Sequence, residues 1–146
     1  MTGDSENLVF VIHRTHDMIK SCEDKVFGEQ GLTTEQYRVL TAIKHLNAPV
    51  RVTDVARRLT RSVNSISMLV DRMVKVGLVT RWRDGGDRRE VQLVITIKGE
   101  ALLEPAALAD DKFVHKILSQ VAHEDKQYLI DLLELIQHEA SEYLEA

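Results

Sequence analysis

Between Thr53 and Thr96 the spacing of apolar residues changes from every third or fourth position to every second. That switch constrains the fold more than any other feature, because side chains repeat at about 3.6 residues in a helix and about 2 in a strand. Thr53 is placed to cap a short helix from Asp54 to Leu59, with Val55, Ala56 and Leu59 facing inward. A turn at Thr60-Arg61-Ser62 leads to a helix reaching about Val76, which buries Ile66, Leu69, Val70 and Met73. Gly77 stands where a left-handed C-terminal cap is wanted. Leu78 to Arg83 and Glu90 to Thr96, rich in Val, Ile, Thr and Trp, then flank Asp84-Gly85-Gly86-Asp87 and read as a hairpin. Helix, tight turn, amphipathic helix and hairpin in immediate succession specify a helix-turn-helix followed by a β-wing.

Helical periodicity governs the rest. From about Ser5 to Phe27, Leu8, Val11, Ile12, Met18, Ile19 and Val26 recur at helical spacing, and Gly28 and Gly31 end the helix. Thr33 and Gln36 form a capping-box pattern that opens a helix carrying Tyr37, Leu40, Ile43 and Leu46, stopped by Asn47-Ala48-Pro49. After Thr96 one helix holds Leu102, Leu103, Leu108, Phe113, Ile117, Leu118 and Val121, with Pro105 the place for a kink or restart. A polar break at Ala122-His123-Glu124 precedes a last helix with a wide apolar stripe. The fold class is therefore mainly α with a small β-hairpin wing. A single domain over 1–146 is expected to divide into a winged helix-turn-helix lobe at 32–98 and dimerisation helices at 5–28 and 99–145. Leu8, Val11, Ile12, Leu129, Leu132, Leu133, Ile136 and Tyr143 offer more apolar surface than so small a lobe can cover. Interdigitation with a second copy would bury it, in an interface of about 2,000 Å² or more.

The net charge of −4 conceals a strong asymmetry. Arg51 to Lys98 holds eleven basic and five acidic residues, a net +6, while the remainder holds eight basic and eighteen acidic, a net −10. A basic middle between acidic flanks suits a DNA-contacting module on a non-contacting scaffold. The expected base-reading face is Ser62, Asn64, Ser65, Ser67 and Met68, with Arg61 and Arg72 among the DNA contacts. Asn pairs bidentately with adenine, serine donates or accepts, and Met68 suits a thymine methyl. Arg81 and Arg83 on one wing arm, and Arg88 and Arg89 beyond the tip, are expected to bind phosphates or enter the minor groove. Asp87 is expected to orient a wing arginine rather than touch DNA.

The run Leu69-Val70-Asp71-Arg72-Met73-Val74-Lys75-Val76-Gly77-Leu78-Val79-Thr80-Arg81 precedes Asp84-Gly85-Gly86-Asp87-Arg88-Arg89, and the return arm ends in Thr96-Ile97-Lys98-Gly99. This resembles the MarR family of regulators over about Leu8 to Leu144. The resemblance implies a homodimer on a pseudo-palindromic double-stranded operator, acting as a repressor released by a small aromatic, phenolic or other anionic compound. Met68 departs from the pattern, where an arginine is common. The resemblance also implies an effector pocket, for which His13, Arg14, His16 and Arg38 are candidates. A ligand-independent architectural protein or a protein–protein adaptor is the alternative.

Several function classes are excluded or weakened. No G-x-S-x-G, Walker loop, G-x-G-x-x-G or H-E-x-x-H pattern occurs, so no catalytic residues, cofactor or enzyme activity is expected. His13 and His16 stand three apart beside Asp17, yet such histidines more often sit at a surface or cleft, and no metal is expected. Cys22, the single cysteine, lies between Lys20, Ser21, Glu23 and Asp24 rather than in the cationic setting of a redox-sensing thiol. With no signal-peptide pattern and no apolar run near about 18 residues, a cytoplasmic location without membrane contact is expected.

Overall fold

A computed structural model describes residues 2–46, 48–83 and 91–145. In chain order the elements are α1 (Thr2–Gly28), α2 (Thr34–His45), α3 (Val52–Leu59), α4 (Val63–Lys75), β1 (Val79–Arg83), β2 (Val91–Ile95), α5 (Ile97–Ile117) and α6 (His123–Glu145). Two compact units divide the chain, Met1–Asp111 and Lys112–Ala146, and the boundary falls inside α5.

The core lies in the first unit. Phe27 of α1 stacks on Tyr37 of α2, with ring centroids 3.9 Å apart. Val39, Leu40, Val55, Ile66, Val70, Met73 and Val79 are fully buried around them, and Leu103 and Ala106 of α5 close the cluster. Each such aliphatic side chain contributes about 1.5–3 kcal/mol through burial. Leu59 and Leu69, expected inside, are only half-buried at the edge of this cluster.

The opening of α2 follows the predicted chemistry. Thr33 Oγ1 accepts from the Gln36 N–H at 3.0 Å, and Gln36 Oε1 accepts from the Thr33 N–H at 3.0 Å. The start of α3 differs from the expectation. The helix begins at Val52, the residue before it is extended, and Asp54 accepts from the Arg51 N–H at 2.9 Å. Thr53 thus sits inside the first turn, because the carboxylate reaching back from Asp54 satisfies the cap. The helix α5 runs through Pro105 without a restart. Proline deprives the Ala101 carbonyl of its helical donor, but both residues are exposed and water can serve that carbonyl. The break before α6 also lies earlier than expected, since α6 already starts at His123.

In the single chain, the apolar stripes of α1 and α6 stay uncovered. Leu8, Val11, Leu129, Leu132, Ile136 and Tyr143 are exposed, while Ile12 and Leu133 are half-buried. No residue of α6 is buried. No helix among the described residues is long and apolar enough to cross a membrane.

Candidate nucleic-acid interface

The turn between α3 and α4 is fixed by backbone bonds. Thr60 adopts the left-handed region at φ 54°, letting its N–H reach the Arg57 carbonyl at 3.3 Å and the Arg61 N–H reach that of Ala56 at 2.9 Å. Such a cap normally uses glycine, and threonine there carries a strain of about 1–2 kcal/mol. Ser62 is then extended, and its Oγ accepts from the Ser65 N–H at 3.1 Å, capping α4. At the other end of α4 the expected glycine cap is present. Gly77 has φ 79°, its N–H bonds to the Val74 carbonyl at 3.1 Å, and the Leu78 N–H bonds to that of Met73 at 2.9 Å.

Burial sorts the faces of α4. Ile66, Val70 and Met73 point into the core, while Asn64, Ser65, Met68 and Arg72 are exposed and follow Arg61 at helical spacing. Ser67 is half-buried at the flank of that face. Met68 keeps 56% of its surface open, so it does not belong to the core. Arg57 and Arg58 of α3 are also exposed, two cations beyond those expected at the DNA face.

The wing pairs β1 with β2 in antiparallel register, Val79 opposite Ile95 and Arg83 opposite Val91. Alternation places Arg81 and Arg83 on the same ribbon face as buried Val79 and Leu93, and Thr80 and Trp82 on the opposite face. Arg81 does not stand free for DNA. Its guanidinium lies 2.6 Å from the Asp71 carboxylate of α4, tying the ribbon to that helix. Arg61 is likewise paired, 3.0 Å from Glu35 of α2. Neither carboxylate is near its partner along the chain, so neither pair is legible in the sequence. The expected wing contacts Arg88 and Arg89, and Asp87, lie outside the described residues.

Three residues of the hairpin exit hold the ribbon to the end of α4. The Thr96 hydroxyl donates to the Gly77 carbonyl at 2.5 Å, and its oxygen accepts from the Gly99 N–H at 2.9 Å, which caps α5. Lys98 Nζ donates to the Val76 carbonyl at 2.7 Å. Gly99 packs so tightly that a Cβ there would lie 2.2 Å from the Leu78 oxygen. The Leu93 N–H donates to Val50 at 2.7 Å, anchoring the second strand to the segment before α3.

The effector candidates do not converge. His13 and Arg14 line an open trough of about 610 Å³ along α1, together with Phe10, Met18 and exposed Cys22. His16 Nδ1 is 3.4 Å from Asp17, and Arg38 is 3.5 Å from Glu23. A second groove of about 530 Å³ runs between α2 and the first half of α5, with Tyr37, His45 and Leu103 among its walls. Burial and the Asp110 carboxylate, 3.2 Å from the Tyr37 hydroxyl, push that phenol well above its usual range. It therefore stays a hydrogen-bond donor. Among the described residues no group of three or more His, Cys, Asp or Glu is placed to hold a metal ion.

Comparison with known proteins bears on this arrangement. Residues 30–90 match the model of the MarR family. The HTH-type transcriptional regulator MgrA of Staphylococcus aureus is 32% identical over 108 residues, covering 73% of each chain. The S. aureus MepR–DNA complex is similar in fold, with a TM-score of 0.82 at 20% identity over 90% of this chain and 95% of that one. CouR from Rhodococcus jostii RHA1, bound to p-coumaroyl-CoA, gives 0.79 at 25% identity over 90% and 92%.

Proposed function

The chain belongs to the MarR family of transcriptional regulators, DNA-binding proteins rather than enzymes, and from that premise we propose that it is a homodimeric repressor released by a small molecule. The observation that carries the DNA-contact assignment is the outward face of α4. Asn64, Ser65, Met68 and Arg72 are exposed on a helix capped at both ends and tied to a ribbon through Asp71–Arg81. Such a helix meets base edges in the major groove with its N-terminal residues. Ser62 and Ser67 complete the reading surface, Arg61 and Arg83 serve its border, Arg81 braces the ribbon through Asp71 rather than contacting DNA as expected, and Arg88 and Arg89, oriented by Asp87, act at the wing.

In this reading 32–98 is the DNA-binding lobe, and 5–28 and 99–145 join two copies. The uncovered stripes of α1 and α6 support that division, because isolated soluble chains rarely leave so many large apolar side chains in water. A dimer sets two recognition helices about 34 Å apart on one face of the duplex. An effector favouring a dimer geometry with another spacing would release the operator. CouR, with p-coumaroyl-CoA bound, supports an aromatic or anionic effector class, and His13, Arg14, His16 and Arg38 are the candidate contacts.

Fluorescence anisotropy on the DNA flanking the gene, beside a random duplex at two salt concentrations, tests the reading. Preference for the flanking DNA with a steep salt slope supports a specific regulator. Equal, feeble binding to both would instead point to a distant operator or to the adaptor alternative.

A further inference from the structure

Arg61 directly precedes Ser62, the N-cap of α4, and so stands at the end of the recognition helix that approaches DNA. Its backbone is held by the Arg61 N–H to Ala56 bond at 2.9 Å. Its guanidinium does not face water alone, because the Glu35 carboxylate lies 3.0 Å away. Glu35 in turn sits in the first turn of α2, where the Thr33–Gln36 capping box fixes the backbone. The neighbouring Thr34 hydroxyl donates to Asp24 of α1, so that turn is held from a second side. The carboxylate is thus presented to Arg61 by a rigid support.

We propose that Glu35 is a built-in competitor for DNA, occupying the Arg61 guanidinium in the free protein and ceding it to a backbone phosphate on binding. The inference rests on the reading of α4 as the DNA-facing helix. Guanidinium binds phosphate and carboxylate with the same planar fork, so the two acceptors are interchangeable in geometry. The pair is open enough to exchange, since the Arg61 and Glu35 side chains are 40% and 32% exposed. Exposed pairs of this kind are weak, so the exchange costs little, yet every complex that uses Arg61 must make it. Glu35 also complements the α2 dipole, but that role affects only folding.

A double-mutant cycle on the full chain separates these roles. Anisotropy on a labelled mixed-sequence duplex, over a series of salt concentrations, compares the wild type with Glu35→Gln, Arg61→Gln and the double variant, each checked for folding by circular dichroism. Glu35→Gln is expected to tighten binding by about two- to fivefold. Arg61→Gln is expected to weaken it and to make the salt slope shallower by about 0.9. In the Arg61→Gln background the gain from Glu35→Gln should largely vanish. Equal gains in both backgrounds would mean a long-range charge effect and would overturn the proposal. A loss of affinity in Glu35→Gln would overturn it too, by making Glu35 a support that Arg61 needs in the complex. A wild type that binds no duplex at low salt would remove the DNA-contact reading itself, an outcome distinct from both.

Discussion

Replacing Gly99 by alanine puts the seat of α5 against the hairpin under direct test. An added Cβ would lie 2.2 Å from the Leu78 carbonyl oxygen and 2.8 Å from Ile95 Cγ2. The Leu78 oxygen cannot retreat easily, because it accepts from the Thr96 N–H at 3.1 Å. Restoring an ordinary carbon–oxygen separation requires the start of α5 to move by about 1 Å. Overpacking of this kind costs about 1–3 kcal/mol. The better helix propensity of alanine offsets at most about 1 kcal/mol of that. Because the clash is with backbone on a fixed ribbon, the upper half of the range applies, and the expected net loss is about 2 kcal/mol. For a chain of this size that corresponds to a Tm lowered by about 4–8 °C. Thermal melts by circular dichroism should be run at one protomer concentration, since association raises Tm. Gly28→Ala is the control, with nothing within 4 Å of the new Cβ, and its Tm should hold or rise. An unchanged or raised Tm for Gly99→Ala would refute the packing argument, because propensity alone would then decide the outcome.

Three further predictions concern the DNA face and the α1–α2 junction. Asn64→Ala should reduce preference for operator over random DNA more than it reduces nonspecific affinity, measured by competition binding; equal losses would remove its base-reading role. Arg88→Ala should weaken binding and make the salt slope shallower by about 0.9, whereas unchanged isotherms at two salt concentrations would count against a wing contact. The Thr34 hydroxyl holds the Asp24 carboxyl below its ordinary 3.8, with Lys20 assisting and burial opposing. A lowered folded-state value adds stability that is present above the unfolded pKa and lost as pH falls through the folded one. Thr34→Val should therefore move the Asp24 titration upward, read by carboxyl ¹³C NMR, and an unmoved titration would deny that bond its effect.

What the sequence made legible was governed by local chemistry. The Thr33–Gln36 box and the Gly77 cap each depend on a few consecutive residues, and both occur as predicted. The outward face of α4 was readable because helical period alone separates Ile66, Val70 and Met73 from Asn64 and Met68. The start of α3 was misplaced because Thr53 has a favoured cap side chain, whereas the carboxylate of Asp54 does the capping from inside the helix. The start of α6 was misplaced for a related reason. His123-Glu124 reads as a polar break, but Glu124 and Asp125 are the acids a helix N-terminus favours. The pairs Glu35–Arg61 and Asp71–Arg81 were out of reach, since only the packing of α2 on the turn, and of α4 on the ribbon, brings them together. They turn two arginines that charge counting treats as free into partnered groups.

The most direct test of the account is to select bound duplexes from a random-sequence pool with the purified chain and sequence them. Two α4 helices related by a two-fold axis require an inverted repeat whose half-site centres are about 10–10.5 base pairs apart. Enrichment of a lone half-site, or of no sequence at all, would contradict it.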